Sequence, residues 1–154
     1  LTPVKNECSD FLADLKHVWH QTIPISKHML IHPASLCDKE LIVCANREAN
    51  INLHNTMFAG SIYTLATLTG WGWVHMLLKL HDFKGDIVLA DADIRYQKPL
   101  HGQPLARTCE SLTSGNVAVL KRGRKARVKV QVNVHDGDTV VATFNGKYVV
   151  IPEA

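Results

Sequence analysis

The sequence contains few cysteines, and they follow no regular spacing. The four are Cys8, Cys37, Cys44 and Cys109, with no CxxC pair among them. A chain of 154 residues can bury a core without disulfides, so free thiols in a reducing compartment are the expected state. The first 25 residues carry charges throughout and lack the apolar run of a signal peptide. Together these absences predict a cytoplasmic protein.

Charged residues are missing from one long segment, Asn55 to Met76. As a helix, its 22 residues would extend about 33 Å, which is enough to cross a bilayer. The segment also contains three glycines, His75 and several hydroxyl side chains, whereas a membrane span is more uniformly apolar. We therefore expect a buried core helix and no membrane span.

Excess positive charge is small and local. The formal net charge is +3, and six basic side chains fall within nine residues: Lys121, Arg122, Arg124, Lys125, Arg127 and Lys129. A nucleic-acid-binding surface would extend further, so we expect no nucleic-acid partner and favour a local anion site. A solvated turn is the alternative interpretation of this basic run.

Two helices are predicted. Apolar residues recur at helical spacing over residues 6–21, and Pro24 ends this first helix. The uncharged segment predicts a second helix over residues 56–81. Gly70 and Gly72 lie inside it, where each costs up to about 1 kcal/mol, so close packing or a kink must explain them.

The remaining chain alternates between strand-like segments and turns. The predicted strands are 29–36, 40–45, 87–96, 104–112, 126–135 and 139–151. A short helix or loop spans 115–122, and Asp136-Gly137-Asp138 predicts a hairpin before the last strand. There are no repeats or low-complexity linkers, so residues 1–154 are expected to form one domain. An antiparallel sheet wrapped around one apolar helix, an α+β fold, is the economical packing.

Two familiar catalytic arrangements are missing. No nucleophile elbow is present, so a Ser-His-Asp triad is not expected. His17 and His20 lie three residues apart on the first helix, without a carboxylate or cysteine at a matching offset. No metal site is therefore expected.

The start of the long helix is the most unusual part of the sequence. Asn55 or Thr56 can cap this helix, and no acidic residue follows in its first turn. Ala59 and Gly60 would let a ligand approach the backbone closely. Free N–H groups at a helix start attract an anion or a developing oxyanion. An ordinary capped helix is the alternative.

Four segments carry a resemblance to a known family: NINLHNTMFAGS, TLTGWGW, DADIRYQKPL and RGRKARVKVQV. They resemble the hot-dog-fold thioesterases known as the C-terminal domain of YiiD-type proteins. The similarity extends from about Ile31 to Ile151. The resemblance implies a hot-dog fold, in which an antiparallel sheet wraps around one long central helix. In that family the domain is often attached to an acetyltransferase domain.

The resemblance also implies where a site would lie. Hot-dog thioesterases generally pair along the strand after the helix, here 87–96, with the active site at the dimer interface beside the helix N-terminus. The better-known branch begins its helix with a His-Gly-Gly turn, which falls on Phe58-Ala59-Gly60 here. Its asparagine falls on Asn52. Its helix carboxylate falls on Thr67, so the usual base or nucleophile is absent.

Thioester hydrolysis at such a site needs an oxyanion hole and an activated water. The backbone N–H of Ala59 or Gly60 could hold the oxyanion. Asn52 and Asn55 could orient the water, but only His54 among these residues could act as a base at neutral pH.

Other candidate residues come from the strands. Asp91 or Asp93 on strand 87–96 is a second candidate base, and a solvated strand face is the alternative. Arg122, Arg124 and Lys125 could bind the phosphates of coenzyme A or an acidic carrier protein.

The leading expectation is a thioesterase acting on acyl-CoA or acyl-carrier-protein thioesters. The alternatives are a non-catalytic domain that binds acyl thioesters, favoured by Thr67, and a hydratase-type enzyme, which needs an Asp and a His close together. No separate cofactor is expected, since coenzyme A or phosphopantetheine enters as part of the substrate. The expected partners are a second copy of the chain, with a dimer of dimers left open, an acyl carrier protein, and a fused or separate acetyltransferase domain.

Overall fold

The computed structural model describes residues 5–37 and 39–153. The helices are α1 (Lys5–Thr22), α2 (Pro24–His28) and α3 (Ala59–Leu80), and the strands are β1 (His32–Cys37), β2 (Glu40–Cys44), β3 (Gly85–Tyr96), β4 (Pro104–Cys109), β5 (Thr113–Gly115), β6 (Ala126–Asp136) and β7 (Thr139–Pro152). Short 3-10 helices occupy residues 48–50, 110–112 and 117–122.

The strands form one antiparallel sheet. Their order is β1-β2-β4-β6-β7-β3, and the short β5 pairs with β6 beside the end of β4. The strand β3 pairs with β7 along one side and forms one edge of the sheet. The long helix α3 packs against β2, β3, β4, β6 and β7. The inner face of the sheet is the one that contacts α3, and the outer face is the opposite one.

Alternation along β6 shows why the sheet wraps the helix. The valines at 128, 130, 132 and 134 are buried on the inner face, while the polar residues between them point outward. The helix α3 is apolar on nearly every side, and α1 covers the part that the sheet leaves open. This arrangement confirms the predicted sheet around one apolar helix.

Close packing explains the two glycines inside α3. A Cβ at Gly70 would collide with the phenol of Tyr148 on β7. A Cβ at Gly72 would lie 3.0 Å from side-chain atoms of both Leu15 and Trp19, which belong to α1. Each glycine therefore allows a neighbouring element to approach the helix backbone.

Several predicted boundaries need correction. Neither Asn55 nor Thr56 caps the long helix, which begins at Ala59 after the N-cap residue Phe58 and has no side-chain cap. The reason is that Asn55 and Thr56 belong to a hydrogen-bonded loop. The predicted strand 104–112 ends at Cys109 and continues as a 3-10 turn.

Two other strand predictions differ in detail. The first strand begins at His32, because residues 29–31 form the turn that closes α2. The short helix or loop predicted for residues 115–122 is confirmed, since a 3-10 helix spans Val117–Arg122 after the end of β5. A bulge at Ala90 interrupts the alternation of β3, so Leu89 and Ala92 face inward while Ala90 is exposed. No helix among the described residues is long and apolar enough to cross a membrane.

Candidate functional site

The loop before α3 is held together by the side chain of Asn52. Its Oδ1 accepts hydrogen bonds from the backbone N–H of His54 at 2.9 Å and of Thr56 at 3.2 Å. Its Nδ2 lies 3.1 Å from the hydroxyl of Thr56, and the Asn52 N–H donates to the Thr56 carbonyl at 2.8 Å. The predicted site residue Asn52 is thus committed to the shape of the loop.

Arg47 clamps the same loop from outside. Its Nε donates to the carbonyl of His101 at 2.6 Å, and its Nη2 donates to the carbonyl of Asn55 at 2.9 Å. Asn55 has a φ of +62°, a left-handed conformation that asparagine tolerates. Arg47 was not predicted from the sequence, because its principal partner lies 54 residues away and no motif marks it.

Backbone hydrogen bonds fix the entry into the helix. The Met57 N–H donates to Leu100 at 2.9 Å, and the Phe58 N–H donates to Asn50 at 2.8 Å. The side chain of Asn50 is buried, and its Nδ2 donates to the carbonyls of Met29 and Asn46 at 2.8 and 2.7 Å. The first turn of α3 therefore has a defined position relative to the sheet.

That first turn presents free backbone donors. The N–H groups of Ser61 and Ile62 donate to the Phe58 carbonyl at 3.0 and 3.1 Å. Within residues 5–37 and 39–153, no acceptor is bonded to the N–H of Ala59 or Gly60. Both residues are exposed, and the turn contains no acidic residue. The positive end of a 22-residue helix is therefore open to an anionic group.

Two tyrosines donate to backbone carbonyls of α3. Tyr96, at the end of β3, donates to the Ala59 carbonyl at 2.9 Å, and Tyr148 donates to the Thr67 carbonyl at 2.7 Å. Burial raises the pKa of Tyr96, and the phenol of Tyr63 raises it further. A role for Tyr96 was not predicted from the sequence, although period-two alternation places this residue with Ala92 and Ile94 on the face toward the helix.

The candidate bases lie apart in one chain. The side chain of His54 is exposed at the loop tip, and no described residue bonds its imidazole. Asp91 and Asp93 lie on the outer face of the sheet, away from α3. Lys147 lies 3.5 Å from Asp91, and Asn145 lies 3.5 Å from Asp93. One chain therefore does not bring either aspartate together with His54.

The helix position where a carboxylate is usual carries no base. The hydroxyl of Thr67 donates to the carbonyl of Tyr63 at 2.9 Å, as helix hydroxyls commonly do. His20, half of the predicted histidine pair, lies 2.7 Å from the carbonyl of Ile31 through its Nε2. In the part of the chain that the structure describes, no three His, Cys, Asp or Glu side chains cluster as a metal site would require.

The basic run lies at the other end of the molecule. Arg122, Arg124 and Lys125 are exposed around Gly123, whose φ of +68° makes a left-handed turn. They precede Ala126, which pairs with β7 near the start of β3. The N-terminus of α3 contacts the end of β3 instead, at Tyr96, so the two sites lie near opposite ends of this strand, roughly 30 Å apart at about 3.3 Å per residue.

The chain is similar to known proteins over nearly its whole length. A family model described as "putative thioesterase (yiiD_Cterm)" matches residues 12–152. The crystal structure of a putative thioesterase from Shewanella oneidensis is 47% identical, covering 94% of this chain and 99% of that one, with a TM-score of 0.90. A protein of unknown function from Chlorobaculum tepidum is 24% identical over 99% and 98% of the two chains, with a TM-score of 0.83. The first comparison confirms the predicted hot-dog fold, and the second supports the fold alone.

Proposed function

The chain belongs to the putative thioesterase (yiiD_Cterm) family, and from this premise we propose that it hydrolyses acyl thioesters at the N-terminus of α3. The observation that supports this proposal is the pair of unbonded N–H groups at Ala59 and Gly60, in a first turn without acidic residues. A tetrahedral oxyanion placed there would accept both hydrogen bonds and meet the positive end of the helix dipole.

The remaining chemistry needs one base. We propose that His54 takes a proton from water as the water oxygen attacks the thioester carbonyl and the oxyanion forms. Collapse of this intermediate breaks the carbon–sulfur bond, and the leaving thiolate takes the proton back from protonated His54. A thiol pKa near that of cysteine, about 8.5, makes this transfer undemanding. The products are the carboxylic acid and the thiol. Asp93 is disfavoured as the base because it lies on the face of the sheet away from α3.

A second copy of this chain is the proposed partner along β3. This edge strand has 12 residues, and one side of its backbone faces no other strand among the described residues. Such an edge is a template for strand pairing. Side chains alternate between faces, so antiparallel pairing of two copies must place inward residues opposite inward residues. When the whole of β3 pairs, both sides of the bulge at Ala90 must match. This requires the two-fold axis to pass between Ala90 and Asp91.

The charges of β3 are compatible with that register. It places Asp86 opposite the partner subunit's Arg95, twice in the dimer, on the outer face. On the inner face it places Ile87 opposite the partner's Ile94. Opposite charges and apolar side chains at facing positions each stabilise paired strands.

This dimer would also complete the substrate site. Antiparallel pairing brings the start of the partner's β3 beside the end of β3 that holds Tyr96. The partner's basic run, Arg122, Arg124 and Lys125, would then lie about three strand spacings, roughly 14 Å, from that end. Coenzyme A carries its phosphates at the far end of the pantetheine arm from the thioester. We therefore propose that one subunit holds the acyl group while its partner holds the phosphates.

The direct test is thiol release from acyl-CoAs of graded chain length and from an acylated carrier protein. We expect turnover with a chain-length optimum. An Ala59→Pro variant removes one N–H at a helix position where proline is well tolerated, after an extended Phe58. We expect its kcat to fall by about 10²–10³, while the matched Ala59→Gly variant, which keeps the N–H, stays active. Full turnover of Ala59→Pro would contradict the role of this N–H.

A non-catalytic acyl-binding domain is the second candidate, favoured by Thr67 at the carboxylate position. Saturable binding of acyl-CoA without thiol release from any substrate would support this candidate over the enzyme. A hydratase is less compatible, since one chain keeps His54 apart from both Asp91 and Asp93.

A further inference from the structure

The hydrogen bond from Tyr96 acts on the peptide unit that supplies one of the free donors. The carbonyl of Ala59 and the N–H of Gly60 belong to the same planar peptide group. The Tyr96 hydroxyl lies 2.9 Å from that carbonyl oxygen. Any rotation of this peptide plane would change the direction of the Gly60 N–H and strain the Tyr96 bond at the same time.

This contact holds the first peptide group of the helix, which no side-chain cap holds. The N-cap residue Phe58 makes no side-chain hydrogen bond to the first turn, and Ala59 and Gly60 are exposed. Uncapped helix ends tend to fray, so a further contact restricts the direction of their N–H groups. Tyr96 provides that contact from the end of the edge strand.

The bond also changes the strength of the donor. Donation to an amide carbonyl polarises the peptide, which makes the N–H of the same group a better donor in a hydrogen-bonded chain. The chain here would be Tyr96 hydroxyl, Ala59 carbonyl, Gly60 N–H and the substrate oxyanion. An oxyanion forms only in the reaction, so the benefit should appear in kcat more than in substrate binding.

We propose that Tyr96 is a positioning residue of the thioesterase site, which aims and polarises the Gly60 N–H by donating to the Ala59 carbonyl. This inference rests on the proposed function for its kinetic consequence but not for its structural one. Burial and Tyr63 raise the pKa of the Tyr96 phenol, so the phenol remains a protonated donor at neutral pH.

Tyr148 offers a matched control. It makes the same type of bond, from a phenol to a carbonyl of α3, at 2.7 Å. Its acceptor is Thr67, which lies two turns further along the helix than Ala59. Tyr148 is also 1% exposed, whereas Tyr96 is 46% exposed. Tyr148→Phe therefore tests the general effect of removing such a bond, without touching the first turn.

The experiment compares Tyr96→Phe with Tyr148→Phe in two measurements. In kinetics with an acyl-CoA substrate, we expect Tyr96→Phe to lower kcat about three- to tenfold, the effect of one neutral hydrogen bond, with KM changed less than about twofold. We expect Tyr148→Phe to lower the melting temperature and to leave kcat unchanged below it.

The second measurement does not require activity. In protein labelled with ¹⁵N-glycine, we expect the amide proton of Gly60 to move upfield in Tyr96→Phe and to stay in place in Tyr148→Phe. If the native protein proves inactive, this shift still tests the inference. An unmoved Gly60 resonance, or equal kcat for Tyr96→Phe and the native enzyme, would overturn it.

Discussion

Gly70 of α3 lies so close to Tyr148 of β7 that a Cβ at position 70 would overlap the phenol ring. The hydroxyl of Tyr148 reaches past it to the carbonyl of Thr67 at 2.7 Å. We expect Gly70→Ala to lower the free energy of unfolding by about 1–3 kcal/mol, the usual cost of overpacking. Gly72→Ala should cost less, since a Cβ there would lie 3.0 Å from atoms of Leu15 and Trp19, whereas a Cβ at position 70 would overlap the phenol. Urea denaturation of both variants checks this order, and an equal loss would contradict it.

Replacing Asn52 should disturb the loop before α3. Asn52→Ala leaves two backbone N–H groups without their acceptor, those of His54 and Thr56. We expect the free energy of unfolding to fall by about 1–2 kcal/mol and the thiol-release rate to fall about tenfold or more. Asn52→Asp keeps an acceptor oxygen in place and should retain most of the activity. Equal loss in the two variants would mean that the amide group itself, rather than the loop geometry, is needed.

Replacing Arg47 should loosen the same loop from the other side. Arg47→Ala removes charged donors from the carbonyls of His101 and Asn55, at a cost of about 1.5–3 kcal/mol each before water replaces them. We expect faster amide hydrogen exchange over residues 52–56 and a lower thiol-release rate. Glu48→Gln is the control, because Glu48 is 73% exposed and its ion pair with Arg47 should contribute little. Unchanged exchange in Arg47→Ala would refute the clamp.

The proposed register of the dimer predicts a charge-swap experiment. Asp86→Lys places a lysine opposite the partner subunit's Arg95 in both halves of the interface. We therefore expect the dissociation constant of the dimer, measured by analytical sedimentation, to increase. Adding Arg95→Glu restores opposite charges and should restore the dimer, since each pair contributes about 0.2–1 kcal/mol. Asp138→Lys, in the exposed hairpin turn, makes the same charge change away from β3 and should have no effect. A dimer whose dissociation constant is unchanged by Asp86→Lys would mean another register or another interface.

The pH dependence of stability should report on His75. The imidazole stacks on Trp71 at 4.9 Å, and burial lowers its pKa, with Lys79 adding to this and Asp14 opposing it. Because the pKa is lower in the folded state, the unfolded state binds more protons as the pH falls below about 6.5. The free energy of unfolding should therefore decrease on acidification from about pH 7.

The variant His75→Phe separates the titration of His75 from that of other groups. His75→Phe keeps an aromatic ring beside Trp71 and removes the titrating group, so the decline in melting temperature below about pH 6.5 should become shallower. Burial also lowers the pKa of His135, which should leave part of the decline in place. If the melting temperature of His75→Phe declined as steeply as that of the native protein, groups other than His75 would be responsible for the pH dependence.

Much of the architecture could be read from local patterns. The alternating valines of 126–135 predicted β6, and the uncharged segment predicted a central helix, since each pattern records which side of an element is buried. The free first turn at Ala59 and Gly60 was also expected, because the absence of acidic residues there is visible in the sequence.

Features that depend on distant parts of the chain were not predictable. The helix starts at Ala59 because the preceding residues are held by Leu100 and Arg47, which no local pattern couples to the loop. The bulge at Ala90 changes which residues of β3 share a face, and brings Leu89 onto the same face as Ala92 and Ile94. The role of Tyr96 required knowing that the end of β3 meets the start of α3.

The sequence by itself determined the elements, their buried faces and the family, since burial is encoded by side chains at fixed periods along the chain. The tertiary structure alone decided at which residue α3 begins, which side chains hold the loop before it, and which tyrosine contacts its first turn. Those outcomes depend on hydrogen bonds between residues far apart in the chain, as from Arg47 to His101, and their geometry exists only once the sheet has closed around the helix.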